Sequence, residues 1–80
     1  MNRKEISSQV QDIFRTILNS ESINLNDETT ANDVEGWDSL THVQLISEIE
    51  KHFNIKFSLK EMLSWKTVGK MVDCIEKKVS

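Results

Sequence analysis

The chain has 80 residues, with ten basic and thirteen acidic side chains, a formal net charge of -3, no proline, two glycines and one cysteine. That length admits one small domain, expected over residues 1–80, and leaves no room for a large catalytic sheet. No apolar run exceeds two residues, whereas a membrane-spanning helix needs about 20 and a secretory signal about 7–15. A lone cysteine forms no internal disulfide, so the expected setting is cytoplasmic.

The charge is unevenly placed. Residues 21–40 hold Glu21, Asp27, Glu28, Asp33, Glu35 and Asp38 with no lysine or arginine, and the other three quarters of the chain each carry a slight basic excess. A local acidic field repels nucleic acid and favours a basic partner.

Ile6, Val10, Ile13, Phe14, Ile17 and Leu18 recur by threes and fours and predict an amphipathic helix over about residues 3–19. Residues 20–37 are polar and aperiodic, with Leu25 and Val34 as isolated apolar anchors. They read as a long structured loop, a feature that is often functional. A second helix starts near Ser39, capped by Asp38. Leu40, Val43, Ile46, Ile49 and Phe53 form its apolar arc, widened by Leu45, and Asn54 suits its end. Ile55-Lys56-Phe57 reads as an extended connector. Ser58 and Glu61 have capping-box spacing and open a short third helix, with Trp65 in the following turn. Thr67 can cap a last helix with the stripe Val68, Met71, Val72, Ile75 and Val79, closed by Lys77 and Lys78 where the helix dipole favours cations. No strand alternation lasts beyond three residues. The fold class is all-α, a small four-helix bundle of three longer helices and one short one, with a long first loop.

Ser39 is the residue of chemical interest. It opens a helix, where free N–H groups and the positive dipole end favour a phosphate. It ends the acidic segment, and Gly36 lets the loop turn tightly into it. The alternatives are weaker. A serine hydrolase lacks the Gly-x-Ser-x-Gly elbow and a preceding strand. A helix-turn-helix DNA binder is opposed by the acidic segment. His42 and His52, ten residues apart, read as solvated and not as metal ligands. Cys74 reads as a half-buried small hydrophobe.

The stretch from Gly36 through Asp38-Ser39-Leu40 to Val43, Leu45 and the closing Glu50-Lys51-His52-Phe53 resembles the attachment motif of acyl carrier proteins, and the resemblance extends over the whole chain in helix order. It implies 4′-phosphopantetheine on Ser39, with Asp38 as the acidic residue before it. A phosphopantetheinyl transferase would attach the arm from coenzyme A, with Mg²⁺ belonging to that enzyme and no metal ligands here. Acyl-loading and acyl-transferring enzymes would be the further partners. The implied role is a monomeric, free-standing, non-enzymatic carrier of thioesters, without nucleic acid or a membrane span. Related peptidyl carriers carry Gly-Gly-x-Ser, so Gly36-Trp37-Asp38-Ser39 falls on the acyl-carrier side.

The resemblance also implies partner-facing positions: Glu35, Trp37, Leu40, Thr41, Gln44, Ser47 and Glu50. On housekeeping fatty-acid carriers this face is strongly acidic, with an apolar residue where Ser47 stands. Here only Glu48 and Glu50 are acidic and Lys51 is basic, which implies a dedicated pathway such as polyketide, surface-polysaccharide or aminoacyl loading. Trp37 is expected to pack against the loop, with contact to the arm or a partner as the alternative. Ile46, Ile49, Met62 and Met71 are candidates for lining a cargo space but read first as ordinary core. The alternative function is an unmodified helical interaction domain derived from the carrier fold.

Overall fold

A computed structural model describes residues 2–79. Four α-helices follow one another, α1 (Arg3–Ile17), α2 (Ser39–Phe53), α3 (Leu59–Ser64) and α4 (Val68–Val79), and a 3-10 turn at Ala31–Asp33 interrupts the first loop. No strand forms among the described residues. Nor is any helix among them long and apolar enough to cross a membrane.

The helix ends follow from local chemistry. The Asn2 side chain accepts the Glu5 N–H at 2.8 Å and starts α1. Asn54, in the left-handed conformation at φ 56°, ends α2, as a residue tolerant of that region does. Ser58 and Glu61 close a reciprocal capping box at α3, which satisfies the Ser58 and Glu61 N–H groups at the start of this six-residue helix. Thr67 Oγ1 accepts the Lys70 N–H at the start of α4.

The core is the meeting of three apolar stripes. Ile6, Val10 and Phe14 from α1, Leu45 and Ile49 from α2, and Met71, Val72 and Ile75 from α4 are all fully buried. Each such side chain contributes about 1.5–3 kcal/mol relative to an exposed one. Ile46, Ile49 and Met71 belong to this core, with Met62 partly buried against it.

One expected arc is corrected. Leu40 and Val43 do not face the core; they are 70% and 65% exposed. The inward stripe of α2 is His42, Leu45, Ile46, Ile49 and Phe53, each buried or half-buried. These stand at the i, i+3, i+4, i+7 and i+11 spacing of one helix face. His42 holds the place that Leu40 and Val43 were expected to share, and its reading as a solvated residue is overturned with theirs.

The long loop is fastened at both ends of the bundle. Arg15 Nε donates to the Ile23 carbonyl at 2.8 Å and Gln11 Oε1 accepts the Leu25 N–H at 2.8 Å. Ile23 and Val34 enter the core. The Thr29 and Asp27 carbonyls accept the Val68 and Gly69 N–H groups at 2.9 and 3.0 Å. The loop thereby satisfies two of the donors that the start of α4 would leave orphaned. Arg3 ties the same corner together, pairing with Asp27 at 3.1 Å and with Asp73. Docked on both α1 and α4, the loop delivers its last residues to the start of α2 in one position.

Candidate functional site

The loop reaches α2 through Gly36, whose φ of +90° lies in the region that favours glycine. Asp38 is the N-cap. One carboxylate oxygen accepts the Leu40 and Thr41 N–H groups at 3.0 and 2.9 Å. Thr41 Oγ1 returns the bond by accepting the Asp38 N–H at 2.8 Å and donates to the Gly36 carbonyl at 2.7 Å. The Thr41 backbone bond, above all, holds the Asp38 carboxyl below its ordinary pKa, because hydrogen bonds to the charged form favour it.

Ser39 is therefore the first residue of a helix whose cap is fully engaged. Its side chain is exposed, and no hydrogen bond among the described residues draws on its hydroxyl. The first-turn donors are not waiting for a phosphate as the sequence suggested: two of them are already held by Asp38. What the geometry offers a phosphoester is a free, outward hydroxyl at the positive end of a 15-residue helix.

Beside Ser39 lies an aromatic wall. The Trp37 ring stands edge-on to Phe14, with centroids 4.8 Å apart, and is half-buried. Its Nε1–H donates to His42 Nδ1 at 3.0 Å. An indole N–H only donates, so His42 Nδ1 is unprotonated and the ring's proton sits on Nε2. Burial pushes the His42 pKa down, in keeping with a neutral ring. Trp65, the C-cap of α3, closes the wall edge-on to His42 at 6.3 Å and to Phe57 at 4.7 Å. Ala31, Trp37, Asp38, Ser39, His42, Trp65 and Lys66 surround an open cleft of about 350 Å³.

The remaining expected positions fall into two groups. Leu40, Gln44 and Ser47 are exposed on α2 and Glu35 is exposed in the loop. Thr41 and Glu50 are committed internally: Thr41 to the cap, and Glu50 through Oε2, which accepts the Phe57 N–H at 2.8 Å. Trp37 packs, with Phe14 of α1 and His42 of α2 as its ring neighbours where the loop was expected. Cys74 is half-buried, donates to Glu61 Oε2 at 3.4 Å, and burial pushes its thiol pKa up. Lys66, Trp65 and His42 were not read as part of the site. His42 had a signal, since it lies three residues after Ser39 on one helix face; Trp65 and Lys66 arrive from a distant turn and had none.

Among the described residues, a bundle of four helices without strands, presenting a free serine hydroxyl at the head of its second helix, has the form of a carrier module. The sequence pattern of the family described as "Phosphopantetheine attachment site" matches residues 8–75. An acyl carrier protein of Thermotoga maritima is 33% identical over 78 residues, 98% of this chain and 96% of that one. An acyl carrier protein of Streptococcus pyogenes is 38% identical over 73 residues, 91% of this chain and 95% of that one. The solution structure of a holo acyl carrier protein from Geobacter metallireducens superimposes with a TM-score of 0.88 at 42% identity, covering 92% of this chain and 85% of that one. The chain belongs to the acyl carrier proteins of this phosphopantetheine-binding family. Its prosthetic group is accordingly 4′-phosphopantetheine, and its role is to carry acyl groups on that arm.

Proposed function

We propose that Ser39 is the attachment residue and that the chain, expected as one domain over residues 1–80, serves as a monomeric, non-catalytic carrier in a dedicated biosynthetic pathway. The observation that carries this reading is the Ser39 hydroxyl: exposed, uncommitted, first in α2, and preceded by an aspartate whose carboxylate is already engaged. Attachment forms one bond and breaks one. Ser39 Oγ displaces adenosine 3′,5′-bisphosphate from coenzyme A, the serine proton passes to a base of the transferase, and the arm remains as a phosphodiester. When bound, the arm supplies a terminal thiol on which acyl groups ride as thioesters, raising their effective concentration at each partner site.

Asp38 holds the helix start on which Ser39 sits. Glu35, Trp37, Leu40, Gln44 and Ser47 frame the surface offered to the transferase and to acyl-loading and acyl-transferring enzymes, with Thr41 and Glu50 supporting it through their internal bonds. Leu40 and Val43 give that surface an apolar centre, and its thin charge supports a partner set different from that of a strongly acidic carrier. The cytoplasm, where coenzyme A and the transferase meet, is the proposed location.

Incubation with a phosphopantetheinyl transferase, coenzyme A and Mg²⁺ tests the reading. The wild type should gain the mass of one phosphopantetheinyl group and Ser39→Ala should gain none. Modification of Ser39→Ala, or a wild type inert to several transferases while still folded by circular dichroism, would refute it.

A further inference from the structure

Of the residues lining the cleft beside Ser39, only Ser39 takes part in the bond formed at attachment. Its lining is unlike the rest of the surface. Trp37, His42 and Trp65 bring three aromatic rings to one concavity. The Trp37 N–H is already spent on His42, so this indole offers ring surface and not a hydrogen bond. Lys66 stands on the rim and makes no ion pair among the described residues. At about 350 Å³ the cleft lies at the small end of the range for sites that take an organic ligand.

We propose that this cleft is the resting seat of the prosthetic arm, with the geminal-dimethyl segment next to the phosphate lying on the Trp37 and Trp65 rings and Lys66 facing the phosphodiester. The inference rests on Ser39 as the attachment residue. Connectivity selects the occupant: Ser39 itself lines the cleft, so a group esterified there begins inside it. Charge selects Lys66. A phosphodiester on Ser39 adds a negative charge beside the Asp38 carboxylate, and the Lys66 ammonium is the cation in the same lining. The apolar dimethyl carbon matches ring faces, and the flanking hydroxyl and amides keep the arm's polar atoms toward water in an open cleft. Seated there, the arm is held close to the protein between deliveries, and a partner must draw it out.

The test uses the arm's own protons. ¹⁵N,¹³C-labelled protein is converted with unlabelled coenzyme A, intact mass and a Ser39→Ala control establish the modification, and isotope-filtered NOE spectra are recorded. The seat requires cross-peaks from the arm's geminal methyls to the indole protons of Trp37 and Trp65, with the methyls shifted upfield from their positions in coenzyme A. It also requires these signals to weaken in Lys66→Glu, an exposed position whose change leaves the rings in place. Trp65→Leu, checked for retained fold by circular dichroism, should reduce the ring-induced shift. Methyls at their coenzyme A positions, without indole cross-peaks, on a protein whose mass shows Ser39 modified would overturn the seat and leave the attachment reading intact. An absent mass gain, or one that persists in Ser39→Ala, would overturn both.

Discussion

Gly69→Ala separates two opposing physical effects at the corner that holds the functional loop. Helix propensity alone favours alanine by at most about 1 kcal/mol. The structure opposes it: a Cβ at Gly69 would stand 2.7 Å from the Asp27 carbonyl oxygen, 2.9 Å from its Cβ and 3.1 Å from its Cα. Two of these atoms are backbone, in a loop whose carbonyl also accepts the Gly69 N–H at 3.0 Å. Relief requires the loop to withdraw, and overpacking of this kind costs about 1–3 kcal/mol. Stretching that hydrogen bond costs about 1 kcal/mol more, which offsets the propensity gain. The net expectation is a loss of about 1–3 kcal/mol, or a melting temperature lower by roughly 5–20 °C for a domain of this size. Urea denaturation of wild type and variant with a common slope is the assay. An unchanged or raised midpoint would show that the Asp27–Gly69 contact does not hold the loop against α4, and the account of how Ser39 is positioned would lose its support.

Three further outcomes follow from the structure. His42 should titrate by NMR below its ordinary value of 6.5, because burial disfavours its charged form; the unfolded chain then binds the proton more readily, so its share of stability is intact above about 6.5 and falls as pH drops below that. A midpoint above 6.5 would contradict the Trp37–His42 bond. Glu61, held down to about 2 chiefly by the Ser58 backbone N–H and then by Lys78, contributes stability above its ordinary 4.5 that is lost as pH falls toward 2, and Glu61→Gln should flatten the acid limb of the stability curve. Glu35→Lys, exposed and clear of the core, should slow arm transfer by a basic transferase, with the difference shrinking as salt is raised; equal rates at low ionic strength would dismiss a steering role.

Much of the fold was legible because it rests on local rules. Asp38 before Ser39, Asn54 after Phe53 and the Ser58–Glu61 box are capping signals whose physics lies within a few residues, and each marks an observed helix end. The α2 arc was misassigned because hydrophobicity ranks Leu40 and Val43 above His42. Histidine is amphipathic, and here its one acceptor nitrogen is satisfied by Trp37, so the ring can turn inward while two aliphatic side chains stay out. The loop and its Val34 anchor were legible, but its seat on α4 was not: there the anchors are backbone carbonyls of Asp27 and Thr29 on N–H groups some 40 residues away, and no side-chain pattern encodes such a pairing. The same holds for Trp65 and Lys66, which reach Ser39 only through tertiary packing.

Ser39 is proposed to bear the arm in the living cell. Purifying the protein from cells that produce it, digesting it and locating the phosphopantetheinyl group by tandem mass spectrometry tests this most directly. The expected result is the group, free or acylated, on the peptide containing Ser39 and on no other serine. Native protein found wholly unmodified, or modified elsewhere, would contradict it and would favour the unmodified interaction domain instead.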